Sequence, residues 1–402
     1  METVKEIPNN FYYEESIGHV LKNNIRQYGM LIALIAIMIF FQITTKGILL
    51  VPMNVTNLIM QNSYVLILAI GMTLCILTGG NIDLSVGSVC AFVAAVVGSL
   101  IIEKKVDVTL AITLGLLLGA VIGVWQGFWI AYARIPAFIV TLAGMLLFRG
   151  LTNTILTGQT LSPFPVSFQK ISSGFIPDFF PFFEKFNLTP IVAAIVFSIV
   201  LYFTQSQTRN KRIENGMSVI PFSLFITQLI LIIFAINLFA YWMAAYKGIP
   251  NILIILGVLI IAYHFFTTKT VPGRYIYALG GNEKAARLSG IDTNKVLFFV
   301  YMNMGILAAV AGIVFAARTD SAFPKMGEQF ELDAIGACFI GGASATGGIG
   351  TVIGAIVGAL VMGVLNNGMS IMGVGSDWCM TIKGFVLLVA VVFDVVSKNK
   401  AK

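Results

Sequence analysis

The sequence predicts an all-α protein that crosses a membrane many times, and three observations point there. Of its 402 residues 58% are hydrophobic and only 11% charged, against roughly 25% charged in a soluble domain. Apolar runs near 20 residues recur along the chain, the length a helix needs to cross a ~30 Å hydrocarbon core. The basic residues, which set a net charge of +7, cluster beside those runs. That placement reads as topology and membrane lipid, with no nucleic-acid partner.

Taken in order, residues 1–27 form a polar tail with Lys22 and Arg26 before the first span, which argues for a cytoplasmic N-terminus. No signal-type cleavage pattern is evident in it. Spans are expected at about 28–45, 58–78, 86–102, 108–131, 136–157, 189–205, 218–246, 250–267, 295–318, 349–370 and 378–397. A short apolar segment, 332–345, raises the total to about twelve crossings, with both termini cytoplasmic. Residues 158–187, rich in Pro, Phe and Ser, read as a loop lying on the outer membrane surface. The interval 319–331, acidic through Asp320, Glu328 and Glu331, is placed outside. On this topology 15 of the 25 Lys and Arg fall on the cytoplasmic side. The division is then a tail (1–27), a first membrane half with an inserted helix pair at 218–267 (28–267), a cytoplasmic coupling loop (268–294) and a second half (295–402).

Small residues predict the packing. Gly115, Gly119, Gly123 and Gly127 make one stripe; Gly350, Gly354 and Gly358, with Ala355, Ala359 and Gly363 beside them, make two more. Such faces let helices approach closely in lipid. Opposite directions for the two striped spans suit an inverted repeat relating 58–157 to 295–397, although glycine is common in membrane helices generally.

The most polar interval of the second half, Pro272–Lys295, carries a short helix signal. Asn282 can cap Glu283–Ser289, Gly290 can end it, and Glu283 and Arg287 suit an i,i+4 pair. Asn282, Ala285, Ala286 and Ser289 would share a small face that a partner's groove could receive. The interval reads either as a docking helix or as an ordinary loop held inside by its charge.

Two glycine-rich breaks, Thr78–Gly87 with Asn81, Asp83 and Ser85, and Gly341–Gly350, either border a translocation path or are turns, Asp83 capping the next helix. Asn366 and Asn367 lie inside an apolar span and suit interhelical bonds or the path. Arg149 is expected to reach the outer interface by snorkelling, as are Lys383 and Asp394 near the ends of the last span. No embedded carboxylate relay is visible, which opposes an ion-driven carrier. Cys75, Cys90, Cys338 and Cys379 lie in apolar surroundings without close pairs, and His19 and His264 assemble no metal cluster or catalytic group. With no GxxxxGK[ST] phosphate loop, the chain is not read as an enzyme.

Five tracts carry a resemblance: GGNIDLSVGSV (79–89), PAFIVTLAGMLLFRG (136–150), GRYIYALGGNEKAARLSGI (273–291), ELDAIGACFIGGASATGGIG (331–350) and LNNGMSIMGV (365–374). The chain resembles the permease subunits of bacterial sugar-importing ATP-binding cassette transporters, those for ribose, galactose, xylose and multiple monosaccharides. The additional pair at 218–267 fits the longer xylose and multiple-monosaccharide members. The resemblance implies a fold like that of the vitamin B12 importer permeases, in the bacterial inner membrane, with a second permease copy completing the pathway. It implies a separate ATP-binding subunit, which holds ATP and Mg and engages Gly280, Gly281, Asn282, Glu283, Ala285, Ala286, Arg287, Ser289 and Gly290. It also implies a periplasmic or lipid-anchored sugar-binding protein. Alternatives are a secondary sugar carrier, or a permease of the same class for nucleosides or another small polar solute.

Overall fold

Fifteen α-helices build the computed structural model, which describes residues 25–183 and 186–399. They are α1 (Ile25–Thr44), α2 (Pro52–Leu77), α3 (Val86–Gly98, continued by a π-turn over Ser99–Glu103), α4 (Val108–Ala131), α5 (Ala137–Leu156), α6 (Val166–Ser173), α7 (Thr189–Glu214) and α8 (Phe222–Ala244). There follow α9 (Asn251–Lys269), α10 (Val271–Gly281), α11 (Glu283–Leu288), α12 (Thr293–Thr319), α13 (Phe330–Ile340), α14 (Val352–Ile371) and α15 (Ser376–Asn399). No β-strand occurs among the described residues beyond two isolated bridges. Nine of these helices are long and apolar enough to span a membrane: α2, α3 with its π-turn, α4, α5, α7, α8, α9, α12 and α14. Gly29–Thr44 is a shorter apolar helix. The segment expected at 332–345 forms the 11-residue α13, about 16 Å long and half the depth of a bilayer core. Expectations for residues 1–24 and for the Asp394 side chain lie outside the described residues.

The chain folds as two units. In the smaller one, which includes 177–249, α7 and α8 form a hairpin. Asp178 braces its start by accepting from Thr189 Oγ1 at 2.7 Å and the Phe180 amide at 3.1 Å. Asn237 donates to Ser198 Oγ across the pair at 3.1 Å. Arg209 closes its turn, donating to the Ile220 carbonyl and lying over the Phe222 and Phe225 rings. The pair expected at 218–267 is therefore divided, because α9 packs on α2, α6 and α14 of the larger unit.

In the larger unit (30–176 and 250–402) the helix contacts come in matched pairs. Helix α4 lies on α12 as α14 lies on α2. Helix α3 touches α4, α5 and α12 as α13 touches α14, α15 and α2. This correspondence, α2–α5 with α12–α15, is the packing an inverted repeat produces. The glycine stripes carry it. A Cβ on Gly115 would meet Val97; on Gly119, Ala309 Cβ and the Gly305 carbonyl; on Gly123, the Tyr301 and Met302 backbone; on Gly127, Phe298. Gly354 and Gly358 approach the carbonyls of Gly341 and Ala337, whereas Gly363, on the second stripe, faces Asn62 of α2.

The links between α2 and α3 and between α12 and α13 both turn into the bundle. The interval 319–331, placed outside from sequence, is packed against the rest of the chain: Ala322 is fully buried and Met326 nearly so. Ala322 pairs with Leu161 through two backbone bonds, and the Asp320 carboxylate accepts from the Phe164 amide at 2.7 Å. Further along, Gly327 meets Gly87 backbone to backbone, at a spacing that leaves no room for a Cβ on either.

Candidate functional site

Helices α10 and α11 form a platform at the end of the larger unit where α2 finishes and α12 begins. The capping signals act as read from sequence. Asn282 Oδ1 accepts from the Ala285 amide at 3.0 Å, and Gly290 ends the turn with φ +83°. Glu283 pairs with Arg287 at 3.3 Å and also with Arg134, from the α4–α5 turn, at 2.8 Å. Thr293 Oγ1 donates to the same carboxylate oxygen at 3.3 Å. The hydrogen-bonded Arg134 guanidinium holds the Glu283 carboxyl below the usual carboxylate range. These exposed pairs add little stability singly, but together they fix the orientation of a two-turn element that could not hold itself.

The face offered outward differs from the expected one. Ala286 is 5% exposed and packs inside the chain, while Leu288 is 89% exposed. Lys284, Ala285 and Ser289 flank it in solvent. A hexapeptide helix has no intrinsic inside, and the cluster of Ala131, Leu279 and Leu297 beneath this platform is assembled from three distant parts of the chain. Leu288 was therefore missed, although it is the one large apolar side chain in EKAARL.

The platform is joined to the inner links by direct backbone contact. A Cβ on Gly280 would collide with the Leu77 carbonyl and the Gly348 nitrogen, and Gly348 N–H itself donates to that carbonyl at 3.0 Å. Tyr277 Oη donates to the Gly350 carbonyl at 2.9 Å. Gly281, by contrast, is open to solvent.

The candidate path residues divide into separate places. Asp83 and Ser85 are buried and bonded to each other. Asp83 Oδ1 accepts from the Ser85 amide at 2.8 Å and from its hydroxyl at 2.6 Å, and Gln126 Nε2 donates to Ser85 Oγ at 2.6 Å. Asp83 thus closes a turn on the first residue before α3, one step earlier than a cap on the following helix turn. Burial pushes its carboxyl up to about 6, against the lowering effect of the Ser85 bonds. Asn81 folds back onto Thr78, donating to Oγ1 at 3.1 Å. At the opposite end of α14, Asn367 exchanges bonds with Asn54 at 2.9 Å and 3.1 Å and donates to Gln61 at 3.3 Å, with Asn366 half-buried beside it.

Three charged side chains depart from the sequence reading. Arg149, expected to reach the outer interface, is bonded to the chain itself. Its Nη1 donates to the carbonyls of Pro324 at 3.1 Å and Met326 at 2.5 Å, pinning the inward link before α13. Lys383 likewise turns inward, to Asp333 at 2.9 Å. Asp333 is the embedded carboxylate that sequence reasoning did not see, 1% exposed and accepting also from Tyr64 Oη at 2.9 Å. Its partners lie 50 and 269 residues away, so no local pattern marks it.

Known proteins share this sequence over nearly its whole length. A family model described as branched-chain amino acid transport system / permease component matches residues 54–209 and 205–391. The xylose transport system permease protein XylH of Haemophilus influenzae is 36% identical over 377 residues, 94% of this chain and 98% of that one. XylH of Escherichia coli is 37% identical over 379 residues, 94% of each chain. The ribose import permease protein RbsC of Bacillus subtilis is 34% identical over 345 residues, 85% of each. No solved structure matches. With its multiple apolar crossings, paired helical halves and end-to-end similarity to transport permeases, the chain belongs to this family of transport-system permease components.

Proposed function

We propose that this protein is the membrane subunit of an ATP-binding cassette importer for a monosaccharide, a pentose such as xylose being the first candidate. The observation that carries the reading is Leu288. A clamped helix presenting one fully exposed leucine beside Lys284, Ala285 and Ser289 suits insertion into a groove on a partner subunit. Hydrolysis of ATP with Mg belongs to that partner. Its stroke reaches the bundle through Gly280, which touches the end of α2 and the α13–α14 link together. A binding protein delivers the solute, a second copy of this chain completes the path, and both termini lie in the cytoplasm with the platform. The 94% coverage shared with XylH, against 85% with RbsC, favours the xylose type. A proton-driven carrier is disfavoured because Asp333 is neutralised by Lys383.

The test is Leu288→Glu in a complex purified with its ATPase and reconstituted with its binding protein. The wild type should take up xylose only with ATP, and the variant should lose the ATPase subunit or keep it and lose uptake. Unchanged uptake by an intact variant complex would refute the docking role. Uptake driven by a proton gradient without ATP would refute the importer class.

A further inference from the structure

Lys383 and Asp333 place opposite charges side by side inside the bundle. The ammonium lies 2.9 Å from Asp333 Oδ1 as an ion pair and donates to Oδ2 at 3.2 Å, with Tyr64 Oη donating to the same Oδ2. Tyr64 stands near the midpoint of the 26-residue α2, about 20 Å from either end. The pair therefore lies level with the middle of α2, far from either end of that span. Asp333 is enclosed, its side chain 2% exposed, but the Lys383 side chain is 18% exposed. Beside it on α15, Thr381, Gly384 and Phe385 are exposed, and a Cβ on Gly384 would meet nothing.

An ammonium has three N–H donors, and only one is used in a hydrogen bond to Asp333. A partly exposed ammonium with donors left over is poorly placed against hydrocarbon, since charges within spans face protein or a water-filled cavity. Resting on the importer reading above, we propose that Lys383, oriented by Asp333 and Tyr64, is a contact within the bundle for the hydroxyl groups of a neutral polyol. The water-filled path then runs along this side of α15. The pair suits that solute class: a hydroxyl oxygen accepts from a free ammonium donor while its proton can reach a carboxylate oxygen.

The experiment uses the full complex in vesicles. In a Cys379→Ser background, where Cys75, Cys90 and Cys338 remain buried, Lys383→Cys is combined with Asp333→Asn so that no buried charge is orphaned. A membrane-impermeant methanethiosulfonate should label the new thiol in at least one nucleotide state, and saturating xylose with binding protein should slow labelling severalfold. No labelling in any state overturns the path; labelling that no monosaccharide slows overturns the hydroxyl contact. A second variant, Lys383→Met with Asp333→Asn, keeps the packing and removes the polar contact. Its KM for uptake should rise about tenfold, the scale of one charge-assisted hydrogen bond, with ATPase activity retained, and a wild-type KM overturns the proposal. Failure of the importer reading itself shows earlier and separately, as absence of ATP-dependent monosaccharide uptake by the unaltered protein.

Discussion

Asp83 couples this protein to pH through a single carboxyl. Burial raises it from its ordinary 3.8 to about 6, so between those values the folded chain holds a proton that the unfolded chain has released. Stability should fall as pH rises through that window, by on the order of 3 kcal/mol in total. Asp83→Asn keeps an acceptor for the Ser85 amide and cannot titrate. Its melting temperature in detergent should be flatter than wild type from pH 4 to 6 and no lower at pH 7. Asp83→Ala, which leaves the Ser85 amide without that acceptor, should cost about 1 kcal/mol. Uptake by the Asn variant separates structure from function: a dead transporter at normal abundance would show that the charge itself is needed. At this scale the sequence is readable where partners are local. The Asn282 cap, the Gly290 stop and the Glu283–Arg287 pair are all settled within nine residues. Ala286 and Leu288 are not, because which of them is covered depends on packing against remote elements.

Between elements, α4 and α12 pack backbone against backbone along the glycine stripe. Gly119→Leu would drive a side chain into Ala309 and the Gly305 carbonyl and should lower stability by about 1–3 kcal/mol or more. Leu117→Ile, at a side chain 57% exposed, should leave the melt unchanged. Equal melts for the two variants would contradict the contact. Arg149→Met should strip two carbonyls of the inward link of their charged donor, each bond being worth roughly 1.5–3 kcal/mol. Its thermal melt should drop, Arg149→Lys should fall between, and a melt equal to wild type would dismiss the pin. The stripes were legible because a four-residue period survives in any helix. The inward course of 320–329 was not. Asp320, Glu328 and Glu331 read as water-loving, while the feature that turns the segment inward is a guanidinium in α5 meeting main-chain carbonyls, which carry no sequence signature.

At the scale of the whole molecule, the larger unit closes on itself across the 177–249 excursion. Phe175 and Pro250 form an antiparallel bridge, and the Asn251 amide donates to the Gly174 carbonyl at 2.9 Å. Replacing 177–249 by a short Gly–Ser linker should therefore leave the larger unit folded and monodisperse in detergent, and aggregation of that variant would show that the hairpin is needed for the rest to form. The Asp333–Lys383 pair has a consequence of a different kind, for the order in which the protein is made. Helix α13 is too short to cross by itself and carries Glu331 and Asp333 near its start, so it has no stable place in lipid as it leaves the ribosome. Its counter-charge emerges 50 residues later. Until α15 has been synthesised, α13 must wait in the insertion machinery or against α2, and a chain that stops after α14 presents quality-control proteases with an unneutralised acidic segment. Completion of the last helix is thus the event that commits the second half to the membrane.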